Sequence, residues 1–209
     1  MYVKGEHTCS ASLLDKSTAI TAAHCLEPNG FPAKAEEITL VLFSNQTVKI
    51  WQFVKHPYHK GPAKNDIALL FLENSIDHAL FTPVCLWAFY EDIENRPGTI
   101  VAFGETEFSD SGDINQLDLH AVSSDTCAKS HEKLASLVNF QTFCAKGPDG
   151  TGPCRGDSGG AFMIREGNKW YLRGVVSSGL ENEYKECDAE NYVVFMDVAK
   201  YVDWITNRK

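Results

Sequence analysis

Ser158 stands in the run Gly156-Asp157-Ser158-Gly159-Gly160, with Cys154 four residues before it. A serine hydroxyl is a poor nucleophile unless a base takes its proton and N–H donors stabilise the oxyanion that forms. Glycines on both sides let backbone N–H groups approach a reacting carbonyl that a Cβ would obstruct. The segment therefore suits acyl transfer, and such chemistry requires a histidine and a buried carboxylate elsewhere. Thr21-Ala22-Ala23-His24-Cys25 offers His24 as the base, held among small residues beside a cysteine. Asn65-Asp66-Ile67-Ala68-Leu69-Leu70 offers Asp66, a carboxylate that opens an apolar run. A charge so near a buried strand is costly unless paired. An imidazole N–H would pair it and fix the tautomer that leaves the other ring nitrogen facing Ser158. Singly, His24 is as well explained as a core histidine, Asp66 as a cap and Gly-Asp-Ser-Gly as a turn. The three together, in this order, favour chemistry.

The elements that must position them are mostly strands. β-rich runs at 38–43, 47–54, 67–72, 99–103, 170–177 and 192–198 are punctuated by Gly, Pro, Asn and Asp, which predicts an all-β barrel or sandwich. Only the end departs: from Asp197, a good N-cap, Val198, Tyr201, Val202 and Ile205 recur at helical spacing. Acidic residues and then Arg96-Pro97-Gly98, across 88–98, mark a seam between two halves.

Composition narrows the classes. With 209 residues, 44% hydrophobic and 22% charged, the chain has the make-up of an ordinary globular protein. A net charge of −9 disfavours nucleic acid and anionic membranes as partners. The longest apolar run, 67–72, is too short to cross a bilayer, and residues 1–6 lack the apolar stretch of a signal peptide. Seven cysteines include no C-x-x-C, and no histidine pair has zinc spacing, so neither a metal nor a cofactor is expected. Their spread fits a disulfide framework in an oxidising compartment, hence a secreted, extracellular protein. The odd count leaves one for an intermolecular bond or for a partner in a segment beyond this chain. Asn45-Gln46-Thr47 is the single N-glycosylation sequence, placed as a hairpin tip would be. Trp51, Trp87, Trp170 and Trp204 are expected as packing residues.

With His24, Asp66 and Ser158 in this chain order, the sequence resembles the chymotrypsin-like, trypsin-fold serine proteases over nearly its whole length. The resemblance implies one peptidase domain over 1–209: two six-stranded antiparallel β-barrels, the first N-terminally truncated, and a C-terminal α-helix. Residues 1–92 would form the truncated barrel carrying His24 and Asp66, 93–196 the barrel carrying Ser158, and 197–207 the helix. It implies His24 as general base, Asp66 as its orienter, Ser158 as nucleophile, and an oxyanion hole from the N–H groups of Gly156 and Ser158. It pairs Cys9 with Cys25, Cys127 with Cys144 and Cys154 with Cys187. Protein substrates and serpin-type inhibitors are the implied partners.

The departures from the pattern carry further expectations. Gly152 stands where trypsin-like members hold an aspartate, so a cationic side chain would find no counter-charge in a pocket formed with Ser177, Gly179 and Val193; an apolar or small side chain is expected. In the family a new amino terminus pairs with the aspartate that is here Asp157. No Ile-Val-Gly-Gly-like segment precedes Tyr2-Val3-Lys4-Gly5, so the first strand and the activating amine are expected to be absent and the oxyanion hole misformed. Cys85 matches a position that bonds a light chain or pro-domain, which points to a multidomain zymogen. The stretch 172–205 is loosely similar to invertebrate modular or clip-type cascade proteases. The rival to a cascade endopeptidase is a catalytically inactive homologue serving as a binding partner or cofactor. Arg155-Gly156-Asp157 is also an adhesion-type tripeptide, but Asp157 is expected to turn inward.

Overall fold

A computed structural model describes residues 1–77, 79, 81–87, 91–104, 114–184 and 187–207. Part of the seam expected across 88–98 lies outside the described residues.

The first half forms an antiparallel sheet of β1 (Tyr2–Val3), β2 (Glu6–His7), β3 (Ser12–Leu13), β4 (Thr18–Thr21), β5 (Ile38–Val41), β6 (Thr47–Lys55) and β7 (Ala68–Leu72). Their order is β2-β1-β5-β6-β7-β4-β3. Its two edges, β2 and β3, follow one another in the chain, so covalent continuity rather than a ladder links the ends. The second half holds β8 (Cys85–Leu86), β9 (Pro97–Ala102), β10 (Asn115–Val122), β11 (Thr142–Lys146), β12 (Ala161–Glu166), β13 (Lys169–Ser178) and β14 (Val193–Asp197). Here β12, β9, β10, β11, β14 and β13 close into a six-stranded barrel through the β12–β13 pairing, and β8 lies parallel on β13. Two barrels of strands with few helices form the architecture, although only the second ring is closed by hydrogen bonds.

Alternation explains the inward faces. Val48 and Ile50 of β6 are buried while Thr47, Lys49 and Trp51 are exposed. They join Ile20, Ile38, Leu70 and Leu72 in the first core. The second core centres on Phe143, Phe162 and Phe195, whose ring centroids lie 5.2–5.3 Å apart. Each such buried side chain contributes roughly 1.5–3 kcal/mol of transfer free energy.

The terminal helix is shorter than the expected 197–207. The Asp197 carboxylate accepts from the Ala199 N–H and caps a 3₁₀ turn, Val198–Lys200; the α-helix proper, α3, spans Val202–Thr206. Tyr201 and Ile205 bury against the first core, so the helix bridges from the second barrel back to the first. Two other helices, α1 (Ser124–Ser130) and α2 (Glu132–Leu137), escaped the sequence pattern. In α1 the Ser123 hydroxyl accepts from the Thr126 N–H at 3.1 Å. Both are under two turns, too short for a hydrophobic period to declare itself.

Candidate active site

His24 sits on a 3₁₀ turn, Ala23–Leu26, directly after β4. Ala22 and Ala23 are fully buried, and the Cys9–Cys25 disulfide ties the turn to the segment after β2. Asp66, also fully buried, enters from the loop before β7. Its Oδ1 accepts the His24 backbone N–H at 2.8 Å, and its Oδ2 faces His24 Nδ1 at 2.7 Å. The Ser177 hydroxyl donates to the same Oδ2 at 2.6 Å, while its own oxygen accepts the Ala63 N–H at 2.9 Å. Three donors so spent offset the cost of burying the carboxylate. Ser177, grouped with the pocket on resemblance, thus spends its hydroxyl on Asp66.

The neighbouring Asn65 fixes the loop. It holds φ at 53°, its amide donates to the Tyr58 carbonyl, and its Oδ1 accepts from Gln141 and from the Tyr201 hydroxyl. Burial opposes charge on the His24 imidazole, but the Asp66 hydrogen bond, the Asp66 charge and the Glu27 charge more than offset it and hold the ring above its ordinary value.

Ser158 follows a tight turn in which the Asp157 N–H donates to the Cys154 carbonyl at 3.1 Å, with Gly156 at φ +87°. That positive φ is what makes glycine necessary there. Asp157 turns inward and is 2% exposed; its carboxylate accepts N–H groups from Gly104 at 2.7 Å and Cys154 at 2.8 Å. Burial lifts this carboxyl above the ordinary carboxylate range, and those two N–H groups pull the other way. The turn is thus held by the inward Asp157 carboxylate. Among the described residues, Asp157 has no cationic partner. The N–H groups of Gly156 and Ser158 donate to no acceptor among the described residues. Arg155 is exposed and pairs with Glu181 at 3.2 Å, and inward Asp157 leaves the adhesion tripeptide without its acid.

Ser10 joins these parts and carries no sequence signal of its own. It is 1% exposed. Its N–H donates to the Ser158 carbonyl, its hydroxyl donates to the Gly156 carbonyl and accepts from the Phe103 N–H, and its carbonyl accepts the Thr21 hydroxyl. The histidine and serine segments are thereby held against one another.

On the pocket side, a Cβ at Gly152 would meet only Ala189, at 3.6 Å. Val193 is buried, and its Cγ2 lies 3.6 Å from the Cβ position of Gly179. The Cys154–Cys187 disulfide ties the serine loop to the strand bridge at Glu181–Cys187, and Cys127–Cys144 ties α1 to β11. Cys85 is free and half-buried on β8. Asn45 lies at an exposed turn between β5 and β6.

Serine proteases of insects and of human are similar in sequence along nearly the whole chain. The chain is 27% identical over 229 residues to CLIP domain-containing serine protease HP8 of Bombyx mori, covering 96% of this chain and 61% of that protein. It is 27% identical over 239 residues to Melanization protease 1 of Drosophila melanogaster, covering 98% of this chain and 58% of the other. Serine protease 41 of Homo sapiens is 27% identical over 226 residues, with 97% and 69% covered. The chain thus spans about three fifths of the length of these insect relatives. The trypsin family pattern matches residues 1–205, and the chain belongs to the trypsin family of chymotrypsin-like serine proteases.

Proposed function

We propose that this chain is the catalytic domain of a serine endopeptidase whose nucleophile is Ser158, with His24 as base and Asp66 as orienter. The observation that carries this is the His24–Asp66 contact at 2.7 Å, made by a carboxylate with no solvent exposure. Asp66 favours the tautomer with the proton on Nδ1. Nε2 lies 3.8 Å from Cys25 Sγ and makes no hydrogen bond to Ser158 among the described residues. It would turn to the hydroxyl and take its proton as that hydroxyl attacks a peptide carbonyl. The oxyanion would be held by the N–H groups of Gly156 and Ser158, which have no other acceptor among the described residues. His24, now protonated, returns the proton to the leaving amine, and water then cleaves the acyl-enzyme by the same route.

Gly152 and Val193 favour a small or apolar side chain before the scissile bond, since no carboxylate stands at Gly152 and Val193 fills space opposite Gly179. The names of the insect relatives support a place in an extracellular zymogen cascade. Half-buried Cys85 would bond a pro-domain or light chain, Asn45 would carry a glycan, and serpin-type inhibitors would be partners. No helix among the described residues is long and apolar enough to cross a membrane. One observation favours the rival of a silent or unactivated homologue: the buried Asp157 carboxylate lacks a cationic partner among the described residues.

The test is labelling with a fluorophosphonate, followed by cleavage of a diverse peptide library. A label on Ser158, lost in Ser158→Ala and His24→Ala, supports the proposal. Labelling that survives Ser158→Ala overturns the triad, and no labelling of the processed protein selects the silent homologue.

A further inference from the structure

A second histidine faces the carboxylate that orients His24. His59 lies on the loop between β6 and β7, with its side chain 8% exposed. Its Nδ1 is 3.8 Å from Asp66 Oδ1, and its Nε2 is 3.8 Å from Glu27 Oε2. Its Nδ1 is buried and makes no hydrogen bond among the described residues. Glu27 gives its other oxygen to Lys55 of β6. The series Lys55, Glu27, His59, Asp66, His24 is continuous, and Asp66 is the only member without exposure.

We infer that His59 is a positioning residue for Asp66, tuning through that carboxylate the basicity of His24. A separation of 3.8 Å is beyond a hydrogen bond but within an ion pair. Neutral His59 therefore adds little to the hold on Asp66, whereas a protonated ring adds a full charge. That charge would compete with the His24 imidazolium for the same carboxylate, 3.8 Å from one ring and 2.7 Å from the other. The groups facing His59 are Asp66 and Glu27; Lys55 acts through Glu27 and His24 through Asp66. Tyr201 faces Asp66 from the chain's end, where burial first and the Asp66 charge second hold the phenol protonated. His56 and Lys60 share the open cavity that gives His59 its path to water. The inference rests on His24 being the base, and it makes the acid limb of activity shallower than loss of one independent proton requires.

The experiment is a histidine ¹⁵N NMR titration of the folded chain, alongside His59→Gln and His59→Asn, with phosphonate labelling rates over the same pH range. In the unaltered chain the His24 curve should be broadened beyond one proton. Either variant should narrow it to one proton and raise its midpoint by about 0.5–1, the size of a like-charge coupling through a shared carboxylate. The log labelling rate should fall with a slope below one across the coupled range in the unaltered chain and of one in the variants. Unchanged His24 curves in well-folded variants overturn the inference. Coupled rings in a processed chain that takes no label support the positioning role and select the silent homologue instead.

Discussion

The Thr21 side chain occupies the space that a Cβ on Gly159 would require. Thr21 cannot yield, because its hydroxyl is bound to the Ser10 carbonyl at 2.8 Å in a fully buried setting. Gly159 also holds φ at +81°, which a residue with a Cβ adopts only under strain. The strand that leads to the histidine and the turn that carries the serine are therefore fitted across the two barrels. Gly159→Ala is expected to cost about 3 kcal/mol or more, since strain and overpacking add. A urea midpoint within a few tenths of a molar of the parent would sink the idea.

Gly152 makes the opposite prediction, because its neighbours leave room. A Cβ there meets Ala189 at 3.6 Å, an ordinary contact. Gly152→Asp should fold, and its carboxylate should invite a cationic side chain. The ratio of kcat/KM for arginine over alanine ester substrates is expected to rise by about 10- to 100-fold, the scale of one pocket contact. An unchanged ratio would mean that Gly152 does not face the bound side chain.

Much of the chemistry was legible because it sits in short contiguous runs. Asp66 adjoins its own apolar strand, and the glycines around Ser158 declare a tight turn that the positive φ of Gly156 and Gly159 requires. What stayed hidden depends on residues far apart in sequence. Ser10 meets Gly156 across 146 positions, and Ser177 meets Asp66 across 111; a lone serine carries no sign of such a partner. His59 carries no signal in the sequence, because nothing around it repeats or brackets it. Strand β10 was missed because Asp118 and His120 alternate with buried Leu119 and Ala121, which reads locally as polar surface.

Arg173 and Asp197 form a buried pair in the second barrel, with the guanidinium 5.6 Å from the Phe143 ring centroid and 6.0 Å from that of Trp87. Burial lowers the arginine to about 10, against the pull of Asp92 and with a smaller push from Arg96. Removing one partner strands a charge, so Arg173→Met is expected to cost about 3–5 kcal/mol. The double change Arg173→Met with Asp197→Leu should recover most of that. Thermal melts of the four proteins in the cycle decide it, and additive losses would refute the pairing.

His7 and His24 should give the stability curve opposite slopes. His7 packs against Gly156, whose Cβ would lie 2.9 Å from the His7 Cε1. Burial lowers its pKa to about 4 from the ordinary 6.5. The folded state then binds fewer protons than the unfolded one, so stability from this group is present above pH 6.5 and lost as pH falls toward 4. His24 is raised instead, so its contribution is complete below 6.5 and fades as pH rises through its folded value. Under the proposed mechanism activity runs against the latter, because His24 must be neutral to act as base and its raised value sets the onset above 6.5. Urea midpoints measured between pH 4 and 8 should fall on the acid side, and His7→Phe should flatten that fall while leaving the neutral-side decline in place. An acid limb identical in His7→Phe would assign the loss to other groups, with the buried Asp157 excluded because its raised carboxyl favours the folded state in acid.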